Sequence, residues 1–256
     1  AFFGGSGGRV RKESQRGRDL ELRLTISFEE AVLGTEQEVK VSRTEKCERC
    51  SGTRSEPGIS TNQCGTCGGS GQVRRSQQSL FGQFVQVAAC PTCQGEGQVI
   101  SQPCVQCRGN GSQRQTRNLV VKIPAGVSDG SQMRLSGEGD TGGPRGSSGD
   151  LYVILHVNDH AIFERDGYNL LFDLHVNFAQ AALGGILDVP TIQGKTMLKI
   201  PAGVQSGTVF RINGEGVAHL ERKRRGDLIV TVRVVTPQKL NAEEKRIFED
   251  LAERLG

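Results

Sequence analysis

A chain of 256 residues has room for more than one domain, since single domains usually run about 100–200 residues. Its 32 Lys+Arg against 28 Asp+Glu leave a net charge of +4, too mild an excess to announce a nucleic-acid binder, and no apolar run approaches the roughly 18–20 residues that span a bilayer. With 35 glycines and no tryptophan, the composition predicts two or three glycine-rich modules and no membrane segment.

The opening Ala1-Phe2-Phe3-Gly4-Gly5-Ser6-Gly7-Gly8 mixes phenylalanine with glycine and cannot build a core, so residues 1–18 read as a flexible linker. The basic run Arg9-Val10-Arg11-Lys12 within it reads as solvated. From Asp19 the pattern changes. Leu20, Leu22, Leu24 and Ile26 alternate with Glu21, Arg23 and Thr25, the period of a half-buried strand. A short helix should follow, capped by Ser27 with Glu30 as its capping-box partner and ended by Gly34 in a left-handed conformation. Val39 and Val41 then resume the alternation.

Residues 47–111 hold all eight cysteines, as four C-x-x-C pairs: Cys47/Cys50, Cys64/Cys67, Cys90/Cys93 and Cys104/Cys107. Such a pair presents both sulfurs from one tight knuckle, and two knuckles complete the four-thiolate shell that Zn²⁺ accepts. Eight cysteines therefore predict two zinc ions. Three pairs continue as C-x-x-C-x-G-x-G, through Gly69 and Gly71, Gly95 and Gly97, Gly109 and Gly111. These glycines let the backbone fold back with its N–H groups toward the sulfurs. The first pair keeps Gly52 but has Arg54 where the second glycine belongs, which is expected to loosen that knuckle. A disulfide framework suits small secreted domains, and thioredoxin-type dithiols sit at strand-to-helix junctions, so structural zinc explains this stretch better than either. Thiols held by metal place the chain in the cytosol or an equivalent reducing organelle compartment.

Two phrases recur. The strand-cap-helix phrase returns 150 residues later, carrying Ser27 onto Asn177 and Gly34 onto Gly184. Lys122-Ile123-Pro124-Ala125-Gly126-Val127 returns as Lys199-Ile200-Pro201-Ala202-Gly203-Val204, an offset of 77 that also carries Gly149-Asp150-Leu151 onto Gly226-Asp227-Leu228. The chain thus contains two copies of one β-rich module. The offsets differ by 73 residues, which makes the cysteine region an insertion in the first copy. The fold expected is mainly β: two related β-sandwich-like modules in tandem, a two-zinc cysteine-rich insertion in the first, and a C-terminal helix. The first module takes residues 19–46 and 112–157, the zinc region 47–111, the second module 158–237 and the helix 238–256.

In that last segment Asn241 and Glu244 should cap a helix with Ile247, Phe248, Leu251, Ala252 and Leu255 on one face, which either packs on its own module or meets another subunit. The basic residues of Glu221-Arg222-Lys223-Arg224-Arg225, in the loop before the last strand, read as solvated, with contact to acidic partners as the sharper alternative. His156, His160, His175 and His219 share no spacing and read as structural. With no G-x-S-x-G, phosphate loop, H-E-x-x-H or paired carboxylates, nothing argues for an enzyme.

Four such cysteine units inserted into the first of two related β-modules, the Ile-Pro-Ala-Gly phrases, the Ala182-Leu183-Gly184-Gly185 segment and the Gly/Phe start closely resemble the DnaJ family, the zinc-containing J-domain co-chaperones. The family's J domain carries a His-Pro-Asp motif that does not occur here, so the chain looks like a member that begins within its Gly/Phe linker. The resemblance implies a non-enzymatic chaperone that binds unfolded client polypeptides and delivers them to a DnaK-type ATPase chaperone. It implies that Cys47, Cys50, Cys104 and Cys107 hold one zinc and Cys64, Cys67, Cys90 and Cys93 the other, where spacing alone permits three pairings. It implies a shallow groove for extended clients at Leu24, Val39 and Val41, and a homodimer joined by the C-terminal helix through Ile247, Phe248, Leu251 and Leu255. A groove beside a sheet edge is physically suited to broad recognition, because main-chain hydrogen bonds ignore sequence. Thiol–disulfide exchange and nucleic-acid binding by the knuckles are the rival readings; Phe81 and Phe84 are the only aromatic candidates for base stacking there.

Overall fold

The computed structural model describes residues 16–79, 82–143, 146–220, 222 and 224–255; the calls on residues 1–15, on Phe81 and on part of the basic loop fall outside them. The fold is mainly β, as expected. In chain order, β1 (Leu20–Ile26), α1 (Phe28–Leu33) and β2 (Thr35–Lys46) lead into the cysteine region, which contains β3 (Asn62–Gln63), β4 (Gln72–Ser79), β5 (Gly82–Ala89) and β6 (Gln98–Val99). Then β7 (Ser112–Ile123), β8 (Gln132–Leu135) and β9 (Leu151–Val157) complete the first module. The second contains β10 (Phe163–Asp166), β11 (Asn169–Asn177), α2 (Phe178–Leu183), β12 (Gly185–Thr191), β13 (Gly194–Ile200), β14 (Val209–Ile212) and β15 (Leu228–Val235), and α3 (Ala242–Leu255) follows. No helix among the described residues is long and apolar enough to cross a membrane.

The duplication read from the two offsets is visible in the topology. The first module has a sheet of order β1-β9-β8 and a pair β2-β7; the second has β10-β11-β15-β14 and the pair β12-β13. β11 and β15 run parallel, from Leu170 opposite Leu228 to Asn177 opposite Val235, while β14 is antiparallel to β15. All three helices among the described residues begin with a complete capping box, in α3 through Asn241 and Glu244 at 2.8 Å both ways. The Glu30 N–H donates to Ser27 Oγ at 3.2 Å and the Ser27 N–H to Glu30 Oε2 at 2.8 Å; Asn177 and Gln180 make the same exchange at 2.7 and 3.0 Å.

The helix-ending glycines differ from the expected left-handed cap. Gly34 has φ 81° and ψ 154°, and Gly184 φ 71° and ψ −174°, so φ is positive but the chain extends at once into the next strand. Space imposes glycine as well. A Cβ on Gly34 would lie 2.8 Å from Ala125 N, and one on Gly184 2.6 Å from Ala202 N. The same approach lets Gly126 N–H donate to Ala31 O at 2.8 Å and Gly203 N–H to Ala181 O at 2.9 Å. The two repeated phrases thus recur together because each helix end packs against its own Ile-Pro-Ala-Gly turn.

By compactness the chain divides into two units. One contains residues through Arg23 with Glu38–Leu119 and Gln132–Ile154; the other contains Leu24–Gln37, Val120–Ser131 and everything from Leu155 on. This second unit holds a core of Leu170, Val176, Val189, Val217, Leu228, Val230 and Val232, which Phe28 and Val32 of α1 join. Arg165 fastens the first Ile-Pro-Ala-Gly turn within that unit, donating to Gly126 O at 2.9 Å and to Val127 O. The imidazole of His160 lies against Phe28 and Phe163, its Nδ1 accepting the Ile162 and Phe163 N–H groups at 3.1 Å. That is a structural role for His160.

Candidate functional site

The cysteine region grows out of β2 and β7 as a nested hairpin. β2 ends at Lys46 and β7 starts at Ser112, and Cys47 N–H donates to Gly111 O at 3.0 Å, so the excursion leaves and returns at one place. Further out β3 pairs with β6, Asn62 opposite Val99, and the hairpin β4-β5 pairs Gln72 with Ala89 through Ser79 with Gly82. Sequence patterning missed this last hairpin, whose arm Gln72-Val73-Arg74-Arg75-Ser76-Gln77-Gln78-Ser79 shows no apolar alternation.

The structure gathers the eight sulfurs into two tetrads: Cys47, Cys50, Cys104 and Cys107, and Cys64, Cys67, Cys90 and Cys93, each within 4.8 Å. Across the pairs the Sγ···Sγ distances are 3.9 Å for Cys47–Cys104, 3.7 Å for Cys50–Cys107, 3.8 Å for Cys64–Cys90 and 3.7 Å for Cys67–Cys93. A tetrahedron with metal–sulfur bonds of about 2.3 Å has edges of about 3.8 Å, whereas a disulfide needs about 2.05 Å. The donor set therefore fits a tetrahedral thiophilic divalent ion such as zinc. No histidine or carboxylate belongs to either group, and these are the only such groups among the described residues.

One backbone pattern builds all four knuckles. The N–H of each pair's first cysteine donates to the carbonyl that ends the partner knuckle: Cys47 to Gly111, Cys104 to Arg54, Cys64 to Gly97 and Cys90 to Gly71, at 2.9–3.0 Å. The N–H groups of Gly71, Gly97 and Gly111 turn back to Cys67, Cys93 and Cys107 Sγ at 3.3, 3.2 and 3.2 Å. Those bonds favour thiolate. Burial raises the Cys50 thiol, but the N–H groups of Arg54 and Gly52, with neighbouring sulfurs, bring it down to about 7. Cys67 reaches about 7 in the same way through Gly71, whereas burial and the adjoining sulfurs push Cys107 up to about 11. Four sulfurs this close shed their protons together only with a cation among them.

Arg54 keeps the knuckle's backbone geometry. It adopts φ 69°, beside 72°, 76° and 77° for Gly71, Gly97 and Gly111, and keeps both backbone contacts. In the second tetrad a side chain there would be impossible, since a Cβ on Gly71 or Gly97 would lie 2.5 or 2.4 Å from a carbonyl oxygen. Arg54 extends to Glu96 of the other tetrad's knuckle at 3.4 Å, while its buried Nε has no hydrogen-bond partner among the described residues. Nothing in the cysteine spacing signals this link.

The other expected site residues fall in two classes. Val39 and Val41 are buried, at 7% and 6% exposure, and Leu24 is half-buried. On α3, Ile247 and Phe248 are exposed and Leu251 half-buried, while the side chains of Leu255 and of Phe84 lie outside the described residues. Sequence reading also missed Asp150 as a hub. It accepts Gly137 N–H at 2.9 Å and meets Arg16 at 2.8 Å, and Asp227 repeats the bond to Gly214 at 3.1 Å. The recurring Gly-Asp-Leu phrase was the available signal.

Tandem β-modules with a double cysteine tetrad inserted in the first match the architecture that the resemblance to the zinc-containing J-domain co-chaperones implies. The family model for the DnaJ C terminal domain matches residues 20–237, and the chain belongs to the DnaJ chaperone family. All of it aligns with Chaperone protein DnaJ of Methanothermobacter thermautotrophicus at 47% identity over 255 residues, 68% of that protein's length. The proteins of the same name from Halalkalibacterium halodurans and Acetivibrio thermocellus are 43% and 44% identical, with 69% and 67% of their lengths covered.

Proposed function

We propose that this chain is the client-holding part of a co-chaperone: it binds unfolded or partly folded polypeptide and, within the whole protein, delivers it to a DnaK-type ATPase chaperone. The observation that carries this reading is the double tetrad on a duplicated β-module, in a chain similar along its whole length to proteins named as DnaJ chaperones. Client contact is assigned to the first module, at Leu24, Val39 and Val41, where an extended segment would add its backbone to the sheet and its apolar side chains to the surface. The second module supports it, and α3 joins two subunits through Ile247, Phe248, Leu251 and Leu255. A dimer raises avidity by effective concentration without any new contact.

Two zinc ions, one per tetrad, have a structural role in this account. When bound, each supplies a four-bond cross-link to a segment whose buried clusters consist almost entirely of cysteine. The protein's part is to aim the sulfurs and to hold their negative charge with backbone N–H groups. The chain works without catalysis, in the cytosol or an equivalent reducing compartment. Residues 1–256 contain no His-Pro-Asp tripeptide, so this reading assigns them client holding and not ATPase stimulation. The test is suppression of aggregation of a chemically denatured client without ATP. The expected result is suppression near stoichiometric chain; unchanged aggregation at tenfold excess would refute client binding.

A further inference from the structure

The second module carries a feature that its twin does not. A cavity of about 590 Å³ is lined by Arg211, Asn213, Gly214, Arg224, Arg225 and Asp227. Three guanidiniums share it with one carboxylate, and that carboxylate is already engaged. Asp227 Oδ1 accepts the Gly214 N–H at 3.1 Å and Oδ2 lies 3.4 Å from Arg211 Nη1. Arg225 is held in place, its Nε donating to Gly216 O at 3.1 Å. The Arg224 side chain forms no ion pair among the described residues, while its backbone is fixed by bonds to His219 and Arg222 at 2.9 and 2.8 Å. Among the described residues the lining thus keeps an excess of positive charge.

The first copy serves as an internal control. At an offset of 77, Arg211, Arg224, Arg225 and Asp227 correspond to Arg134, Ser147, Ser148 and Asp150. Two arginines are serines there, and Asp150 is already met by Arg16 at 2.8 Å and Arg134 at 3.9 Å. The neighbouring cavity of that copy, about 290 Å³, is lined in part by Arg43 and Glu45, and Arg43 is bound by Glu45 and Glu138. Lys46 is the remaining cation of that lining, so among the described residues the second copy differs by carrying arginine at two positions where the first has serine, which the shared fold does not require.

We propose that the cavity of Arg211, Arg224 and Arg225 binds a short acidic peptide segment, with two or more neighbouring Asp or Glu carboxylates, from a partner protein. Guanidinium forks match carboxylates in two-bond geometry. Arg211 lies on β14, the last strand in the order β10-β11-β15-β14, so an extended peptide can pair with that strand while its carboxylates reach the cavity. Nucleic acid is disfavoured because no aromatic side chain lines the cavity, and one turn of arginines is too short to track a phosphate backbone.

The test uses the full chain loaded with zinc and a fluorescent peptide containing four consecutive glutamates, read by anisotropy in low salt. Its counterpart with four glutamines is the neutral control. The chain should bind the glutamate peptide and not the glutamine one, and Arg224→Glu should weaken binding by about tenfold or more, the usual scale for losing a charge-assisted hydrogen bond. Arg224→Gln should act in the same direction without reversing the charge, and Arg134→Glu in the first copy should leave affinity within about twofold. Suppression of client aggregation should persist in Arg224→Glu, which separates this site from client holding. Equal binding of both peptides, undiminished affinity in both Arg224 variants, or stronger binding of a DNA oligonucleotide or inorganic phosphate at matched charge would overturn the proposal.

Discussion

Replacing Arg54 by glycine should tighten the first metal tetrad. Arg54 holds φ 69°, a left-handed conformation that costs an L-residue roughly 1–2 kcal/mol and glycine almost nothing. Its buried Nε lacks a partner among the described residues, a further cost of about 1–3 kcal/mol. Against these stand the bridge to Glu96 at 3.4 Å, with side chains 29% and 46% exposed and so contributing about 0–1 kcal/mol, and the greater freedom of glycine in the unfolded chain, about 0.5–1 kcal/mol. The balance favours Arg54→Gly by about 2 kcal/mol, the centre of a range from roughly 0 to 4.5 kcal/mol. Because metal binding and folding of this segment are one equilibrium, the gain should appear as zinc affinity about 30-fold higher at one of the two sites, measured by competition with a chromophoric chelator. Arg54→Ala separates the terms, since it removes the orphaned nitrogen but retains the strained backbone. Weaker zinc binding by Arg54→Gly than by the parent chain would refute this reasoning and show the Arg54–Glu96 bridge to dominate.

Three further outcomes are expected. Chelating both metals should open residues 47–111 to proteolysis while the β-modules keep their circular dichroism, because the buried clusters of that region are cysteine with little else; concerted loss of all structure would contradict an independent insertion. The Asp150 carboxyl is held below its usual range by the Gly137 N–H, then by Arg16 and Arg134, against some opposing burial. Its stabilisation is therefore full above the unfolded carboxylate value and lost as pH falls below about 4, so Asp150→Asn should melt at lower temperature at pH 7 and show a flatter acid limb in a pH series of melting temperatures. A double substitution Ile247→Ser and Phe248→Ser on α3 should shift the chain from dimer to monomer by light scattering without changing its zinc content; a parent chain already monomeric at high concentration would remove the dimer from the account.

The parts that were legible in the sequence depend on local chemistry. C-x-x-C knuckles need only their own spacing, capping boxes need Ser27 with Glu30 or Asn177 with Gln180, and the two offsets exposed the duplicated module before any coordinate did. What was illegible depends on distant backbone. Spacing left three ways to pair the knuckles, and the bonds from Cys47 to Gly111 and from Cys64 to Gly97 distinguish them. The ψ of Gly34 follows from the nearby Ile123-Pro124-Ala125 turn, which lies far off in sequence. β4 is polar along its length, so no periodicity revealed it, and the grouping of α1 with the second module's core is a packing outcome to which the repeat boundary gives no clue.

Holding of unfolded polypeptide is assigned to the first module. Methyl-labelled nuclear magnetic resonance of the zinc-loaded chain, titrated with an unfolded apolar peptide, tests it most directly. The account predicts dose-dependent shifts at the Leu24, Val39 and Val41 methyls, with the second module's Val230 and Val232 unmoved. Saturable binding that leaves those three methyls unperturbed, or no binding at millimolar peptide, would contradict it.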